Sequence, residues 1–287
     1  MAHLDQAVGE FSGFSIQMKQ DAEPRRWMPA PLLYVSGALH LGAAAAVLAR
    51  PHAWPWALGA VAANHVALAA AGLWPRSQLL GPNWTRLPAQ QDAAARVAIT
   101  IDDGPDPEVT PQVLAVLEQY RACATFFCVG ERVLRHADLA QEIVRRGHVI
   151  ENHTQHHRHN FSLLGPGGMS EEISRAQDSI FRVTGSTPRF FRAPAGLRNP
   201  FLDPVLARLR LRLASWTRRG FDTVSGDGDA VLRRLSPLQS GEILLLHDGH
   251  AASSRSGRPV ILEVLPRLLE LLSSKGLHPV TLRSALP

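Results

Sequence analysis

Two long apolar stretches open the pattern of this chain, and an alternation of short apolar runs with amphipathic ones fills the rest. From Trp27 to Ala49 no Asp, Glu, Lys or Arg occurs, and from Pro51 to Pro75 there is again none; Arg50 and Arg76 close the two runs. Each run exceeds the roughly 20 residues a helix needs to cross a bilayer's hydrocarbon core. Trp27, Trp54, Trp56 and Trp74 stand near the ends, where amphipathic rings favour the membrane interface, and Pro51 marks the turn. The pattern predicts a transmembrane helical hairpin over 27–75. Its competitor is a pair of buried Ala-rich helices, since His40, Asn64 and His65 lie inside the runs. The first run begins too late and is too long for a cleavable signal peptide. Residues 1–26 are polar without periodicity and read as a flexible tail; residues 76–95, rich in Pro, Gly, Gln and Asn, read as a connector.

From Arg96 onward, apolar runs predict strands at 96–101, 123–129, 148–152, 189–192, 211–216, 242–247 and 278–282. Amphipathic patterns predict helices at 110–121, 138–147, 170–184, 200–209, 228–235 and 259–275. Asp138 and Ser170 are the expected N-caps, Gly147 and Gly185 the stops. Strands alternating with helices imply a parallel sheet with helices packed outside it. About seven strands suit a barrel smaller than the eight-stranded form, and residues 96–287 are enough to bury a core of their own.

Composition narrows the function. At 45% hydrophobic and 19% charged, the chain is globular with room for membrane-embedded length, and it is not disordered. Its net charge of +5 is spread along the sequence and is almost all Arg, Lys19 and Lys275 being the only lysines. No basic block interleaved with aromatics occurs, which argues against nucleic acid as a partner. Lys19, Arg25 and Arg26 precede the hairpin, Arg76 and Arg86 follow it, and only Arg50 lies in its loop. The positive-inside rule then places the C-terminal domain in the cytosol. Cys123 and Cys128 fall on opposite faces of a predicted strand and read as buried free thiols.

Polar clusters recur where the predicted strands end. Thr100-Ile101-Asp102-Asp103-Gly104-Pro105 puts two carboxylates before a Gly-Pro turn, and the chain must bend there for the two to take different jobs. His153 and His157 follow the third strand at a spacing that suits a divalent metal, although His156 and His159 compete for the assignment. Arg192 stands in Phe190-Phe191-Arg192-Ala193-Pro194-Ala195-Gly196, and Leu245-Leu246-His247-Asp248 ends a buried strand. Barrel active sites lie at the C-terminal ends of the strands, which makes these clusters hard to treat as separate surface turns.

These residues carry a resemblance. The chain from about 96 to 282 resembles the polysaccharide deacetylases of carbohydrate esterase family 4, the chitooligosaccharide-deacetylase homology domain. The family's motifs stand in order at Thr100–Pro105, His153–His157, Arg192–Gly196, Trp216–Asp222 and Leu245–Asp248. The resemblance implies a distorted (β/α)7 barrel. It also implies Asp102 as general base, oriented by Arg192, with Asp103, His153 and His157 as ligands of a divalent metal, Zn2+ by donor type. His247, steadied by Asp222, becomes the general acid, and Ala195, Pro194 and Leu245 border the substrate and oxyanion positions. Ile101 replaces a common aromatic residue, Ala195 a frequent Tyr, and Thr223 follows Asp222 where Trp is usual. The last two changes strip apolar walls from the groove and weaken the case for a long chitin-like chain.

The expectation is a membrane-anchored, metal-dependent deacetylase of an N-acetylated or other N-acyl sugar in a polysaccharide, peptidoglycan or lipid-linked glycan. The hairpin tilts the expectation towards a lipid-linked sugar. A deformylase or amidase for a non-polymeric substrate is the alternative enzyme. An inactive carbohydrate-binding module is the alternative without chemistry, and the full set of base, ligands, Arg and acid argues against it.

Overall fold

A computed structural model describes residues 26–89 and 95–286. The tail expected over 1–26 lies outside the described residues except for Arg26, as do positions 90–94 of the expected connector. The two apolar runs form helices α1 (Pro31–Ala49) and α2 (Trp54–Leu73). Each carries Pro in its first turn, where the missing N–H has no helical partner to lose. Only 6% of the first run's most apolar window and 17% of the second's is buried, so these are not core helices of the domain that follows. The polar residues inside the runs are spent on one another. Asn64 Nδ2 donates to Ser36 Oγ at 2.8 Å, and His40 Nε2 lies 3.3 Å from His65 Nε2, both pairs bridging the hairpin.

Beyond the hairpin the chain reads β1 (Arg96–Asp102), α3 (Thr110–Gln119), β2 (Thr125–Cys128), α4 (Gly130–Arg135) and α5 (Ala137–Arg145). Then come β3 (Val149–Asn152), α6 (Pro166–Thr184), β4 (Phe190–Phe191), α7 (Leu202–Arg208) and β5 (Arg212–Leu213). The last elements are β6 (Arg218–Arg219), α8 (Gly228–Leu235), β7 (Ile243–His247), α9 (Ile261–Ser274) and β8 (His278–Val280). Two of these have no counterpart in the predicted pattern, β6 and α4. Both are too short for periodicity to show. Two expected caps are corrected: α6 starts at Pro166 behind Gly165, ahead of Ser170, and α5 is preceded by His136, with Asp138 inside its first turn. Gly185 ends α6 at φ 68°, a left-handed stop that glycine adopts without strain. The cysteines are both free, Cys128 buried and Cys123 half-buried just ahead of β2.

All strand pairs are parallel, in the order β5-β4-β3-β2-β1-β7-β6, and β8 pairs with the start of β1. Ala98 is partnered by both Ile243 and Val280, so β8 lies on the β2 side of β1. The sheet curls into a half-barrel and leaves a seam between β5 and the β6–β7 edge. Residues 84–87 run along that seam. Trp84 N donates to Leu213 O at 2.9 Å, Ser215 N to Trp84 O at 2.8 Å and Leu87 N to Gly241 O at 2.8 Å. The stretch expected to be a plain connector is therefore a strap on the sheet.

Alternation along β1 sorts its side chains. Val97, Ile99 and Ile101 face outward into the core shared with α3 and α9, whereas Ala98 joins Phe127, Trp216 and Leu245 inside the curl. Thr100 and Asp102 share the inward parity of Ala98, which aims Asp102, the last residue of β1, into the barrel mouth.

Candidate active site

Asp102 closes β1, and Asp103 follows at φ 77°, a left-handed conformation that turns its side chain out of the strand's alternation. This is the bend that two different roles require. Gly104 is demanded by packing: a Cβ there would meet the Asp248 carboxylate oxygens at 2.5 and 2.6 Å. Asp248 itself is buried, and Thr110 Oγ1 donates to its Oδ2 at 2.5 Å. Burial, with the charges of Asp103 and Asp106, pushes it up to about 7 despite that hydrogen bond.

Arg192, 1% exposed, fills the barrel interior. Its Nη1 reaches Asp102 Oδ1 at 2.6 Å and Thr100 Oγ1 at 2.8 Å; Nη2 donates to Ser215 O at 2.7 Å and Nε to Ala214 O at 3.2 Å. Its guanidinium lies 4.1 Å from the Phe127 ring centroid. Burial lowers the arginine's proton affinity and the Asp102 charge opposes that shift. A buried charge so completely paired fixes the orientation of its carboxylate partner. Thr100, which sequence reasoning gave no role, donates in turn to Leu244 O at 2.6 Å and anchors this network.

His153 and His157 sit on the loop after β3. Asn152 Oδ1 accepts from Thr154 N at 2.9 Å, and Thr154 Oγ1 accepts from His157 N at 2.9 Å, which brings the two rings to 4.9 Å between centroids. His156, a competitor by spacing, is drawn off by Glu172, whose Oε1 lies 2.8 Å from its Nδ1. His159 is exposed, its ring 6.1 Å from that of His157. Asp103 Oδ1 lies 3.2 Å from His153 Nε2 and 3.1 Å from His157 Nε2.

Three potential ligand atoms from Asp103, His153 and His157 thus lie within 4.8 Å of one another. The donor set fits a divalent cation such as Zn2+. His153 Nδ1 donates to Arg192 O at 2.8 Å, which leaves the Nε2 lone pair aimed at the Asp103 carboxylate. Electron-rich atoms facing each other this closely call for a positive charge between them, a proton or a metal. The proton affinities agree. Burial alone would lower His153 and raise Asp103, but Asp102 and Asp103 hold His153 above its usual value. Hydrogen bonds from His153, His157 and His250 hold Asp103 far below the carboxylate range.

His250 is the site residue that sequence reasoning missed. Its Nδ1 donates to Asp103 Oδ2 at 3.0 Å, and its Nε2 accepts from Arg132 Nη2 at 3.2 Å. The contact depends on how the loop after β7 folds back, and no spacing announces it.

On the other side of Asp102, His247 ends β7. Asp222 accepts from His247 N at 2.7 Å through Oδ2 and from His247 Nδ1 at 2.9 Å through Oδ1. Burial would lower His247, but Asp222, with Asp102 and Asp103 beyond, raises it above the ordinary imidazole value. Pro194 is buried and Ala195 exposed on the turn that follows Arg192, with Ala195 at φ 53°. Leu245 is buried on the inner face of β7 with Ala98 and Phe127, two residues below His247.

A family model described as polysaccharide deacetylase matches residues 89–214. A peptidoglycan-N-acetylglucosamine deacetylase of Bacillus cereus is 33% identical over 196 residues, which span 66% of this chain and 87% of that protein. The chain belongs to the polysaccharide deacetylases of carbohydrate esterase family 4. A chitooligosaccharide deacetylase of Bradyrhizobium sp. (strain ANU 289) is 31% identical over 194 residues, 64% of this chain and 88% of that one. Among solved structures, the family 4 carbohydrate esterase from Streptomyces lividans in complex with acetate superposes with a TM-score of 0.59 at 32% identity, covering 64% of this chain and 91% of that one. The polysaccharide deacetylase is a hydrolase of the carbohydrate deacetylase class. The family model stops at residue 214, short of Asp222 and His247, so the placement of that pair rests on the geometry above.

Proposed function

We propose that this polysaccharide deacetylase is membrane-anchored and metal-dependent, and that it hydrolyses the amide of an N-acetylated sugar. The observation that carries the reading is the convergence of Asp103, His153 and His157 beside an Arg-held Asp102. Asp103, His153 and His157 would hold a divalent cation, which when bound would supply Lewis acidity that lowers the pKa of water towards neutrality and polarises the acyl carbonyl. Asp102, unable to swing away from Arg192, takes a proton from water as the water oxygen bonds to the acyl carbon. The Ala195 N–H, on the turn directly after Arg192, is assigned to the tetrahedral oxyanion. His247, its Nδ1 engaged by Asp222, presents Nε2 to the departing nitrogen and protonates it as the C–N bond breaks. Pro194 and Leu245 shape the wall and floor.

The domain arrangement follows: a hairpin anchor over 27–75, a strap after it, and a catalytic unit over 96–287. The names of the relatives support peptidoglycan or chitooligosaccharide as the source of the N-acetyl sugar. The small Ala195 and Thr223 favour a short or single sugar over a long chain. The Arg distribution about the hairpin supports a cytosolic catalytic domain, and a reporter fused at Pro287 that is active only outside the cytosol overturns that orientation.

The test uses the full chain in detergent, assayed for bound metal and for acetate or formate release from free and lipid-linked N-acyl sugars. Metal-dependent acetate release supports the assignment, and formate release in its place turns it to a deformylase. A folded, metal-free protein that releases neither acid refutes it.

A further inference from the structure

We propose that the catalytic mouth of this protein faces the bilayer and that the enzyme takes its N-acyl sugar from a lipid-linked carrier held in the same membrane. The inference rests on the reading above, both the membrane hairpin and the deacetylase chemistry.

The hairpin is fastened to the active-site rim without a flexible linker. Arg198 N donates to Gly72 O at 3.1 Å and Ser215 Oγ to Pro75 O at 2.9 Å, and the long side chain of Arg76 reaches from there to Thr217 O, just ahead of β6, at 3.2 Å. Glycine permits the close approach on both sides. A Cβ at Gly72 would run into the Arg198 carbonyl, and one at Gly196 would meet Trp216 at 2.6 Å and Pro75 at 2.7 Å. Gly196 belongs to the turn that carries Pro194 and Ala195. From Pro75 to the assigned base there are only two intervening residues: Ser215, whose O accepts from Arg192, and Arg192, which holds Asp102.

The strap gives the direction. The hairpin's end bonds to Arg198 and Ser215, which follow β4 and β5, and the strap then runs from Leu213 and Ser215 at the end of β5 to Gly241, which precedes β7. The hairpin therefore leaves from the end of the sheet where the catalytic residues stand.

The surface around that end has matching chemistry. Among the described residues after 95, the exposed large apolar side chains are Leu134, Leu163, Phe201, Phe221 and Val224. Every one lies on a segment that follows a strand's C-terminal end, after β2, β3, β4 and β6. Leu163 is 83% and Val224 81% exposed. Phe221, next to Asp222, has the guanidinium groups of Arg219 and Arg234 at 5.0 and 5.7 Å from its ring. Apolar tips backed by cations are the composition of a surface that lies in an anionic lipid interface. Continuity with the exposed hairpin makes the bilayer the occupant of this face. A sugar displayed on a lipid arrives at the rim at high effective concentration, while a soluble polymer must enter beneath it.

The test reconstitutes the full chain into phosphatidylcholine–phosphatidylglycerol vesicles that carry undecaprenyl-diphosphate-linked N-acetylglucosamine in both leaflets. Acetate release is compared with that from soluble N-acetylchitooligosaccharide. The variant Leu163→Asp/Phe201→Asp, which touches no assigned catalytic group, should lose at least about tenfold on the vesicle-borne sugar and keep its rate on the soluble one. Equal rates for variant and wild type on the lipid, or a wild-type preference for the soluble sugar, overturn the proposal. A variant whose oligomeric mass drops instead shows a self-interface and also overturns it. Failure to float with the vesicles removes the hairpin reading, and absence of acetate from either sugar removes the deacetylase reading. Each overturns the proposal by a readout separate from the rate ratio.

Discussion

Asp102 and His247 are register partners on the adjacent strands β1 and β7, yet each is held by a different buried partner, Arg192 for the carboxylate and Asp222 for the imidazole. Neighbouring strands stand about 4.8 Å apart, so the two groups proposed for opposite proton tasks face one mouth while their supports lie on opposite sides of the sheet path. This separation makes the two roles independently testable.

Asp102→Asn keeps the shape and the contact with Arg192 but removes the proton acceptor. Bound metal should be unchanged while kcat falls by about 10²–10⁴-fold. His153→Ala should lose both metal and turnover. Metal analysis beside initial rates decides, and a fully active Asp102→Asn rules out the base.

Asp222→Asn should move the alkaline limb of the rate profile. The acid acts while protonated, and Asp222 raises His247 above 6.5, so the wild-type limb lies on the alkaline side of that value. Loss of the carboxylate leaves burial as the leading influence, which lowers the imidazole, so the limb shifts to lower pH. A kcat/KM profile with the limb unmoved rules out this assignment of the acid.

His250→Ala should weaken metal binding by about 10- to 100-fold, the usual effect of deleting a group that orients a ligand. Chelator competition measures it directly. His250→Gln, which can still donate to Asp103 Oδ2, should recover part of the loss; equal affinities in all three proteins would show the contact to be incidental.

Gly104→Ala puts a methyl against the Asp248 carboxylate and should cost about 1–3 kcal/mol of stability. In contrast, Gly168→Ala, in the first turns of α6 with no heavy atom closer than 3.5 Å, should be neutral or stabilising. Urea midpoints of the two variants give the comparison.

The paired aspartates, the His pair, Arg192 and the His247 strand were legible in the sequence because each follows an apolar run, down to the two residues Phe190-Phe191 ahead of Arg192. Their meeting was legible because barrel strands deliver their ends to one rim. The two-residue β6 was hidden, since Arg218 and Arg219 carry no apolar signal and are ordered by bonds to β7. Trp84 to Leu87 were hidden for a related reason. Their place on the seam is set by backbone hydrogen bonds, which any composition can make. His250 depends on a loop path that no spacing encodes.

The seam strap also sets an order of assembly. Residues 84–87 leave the ribosome before any strand of the sheet, but their partners at Leu213, Ser215 and Gly241 come from the second half of the chain. Contacts so distant in sequence form late, after the chain between them has ordered. The seam of the half-barrel is closed late, by a segment made before any of its strands.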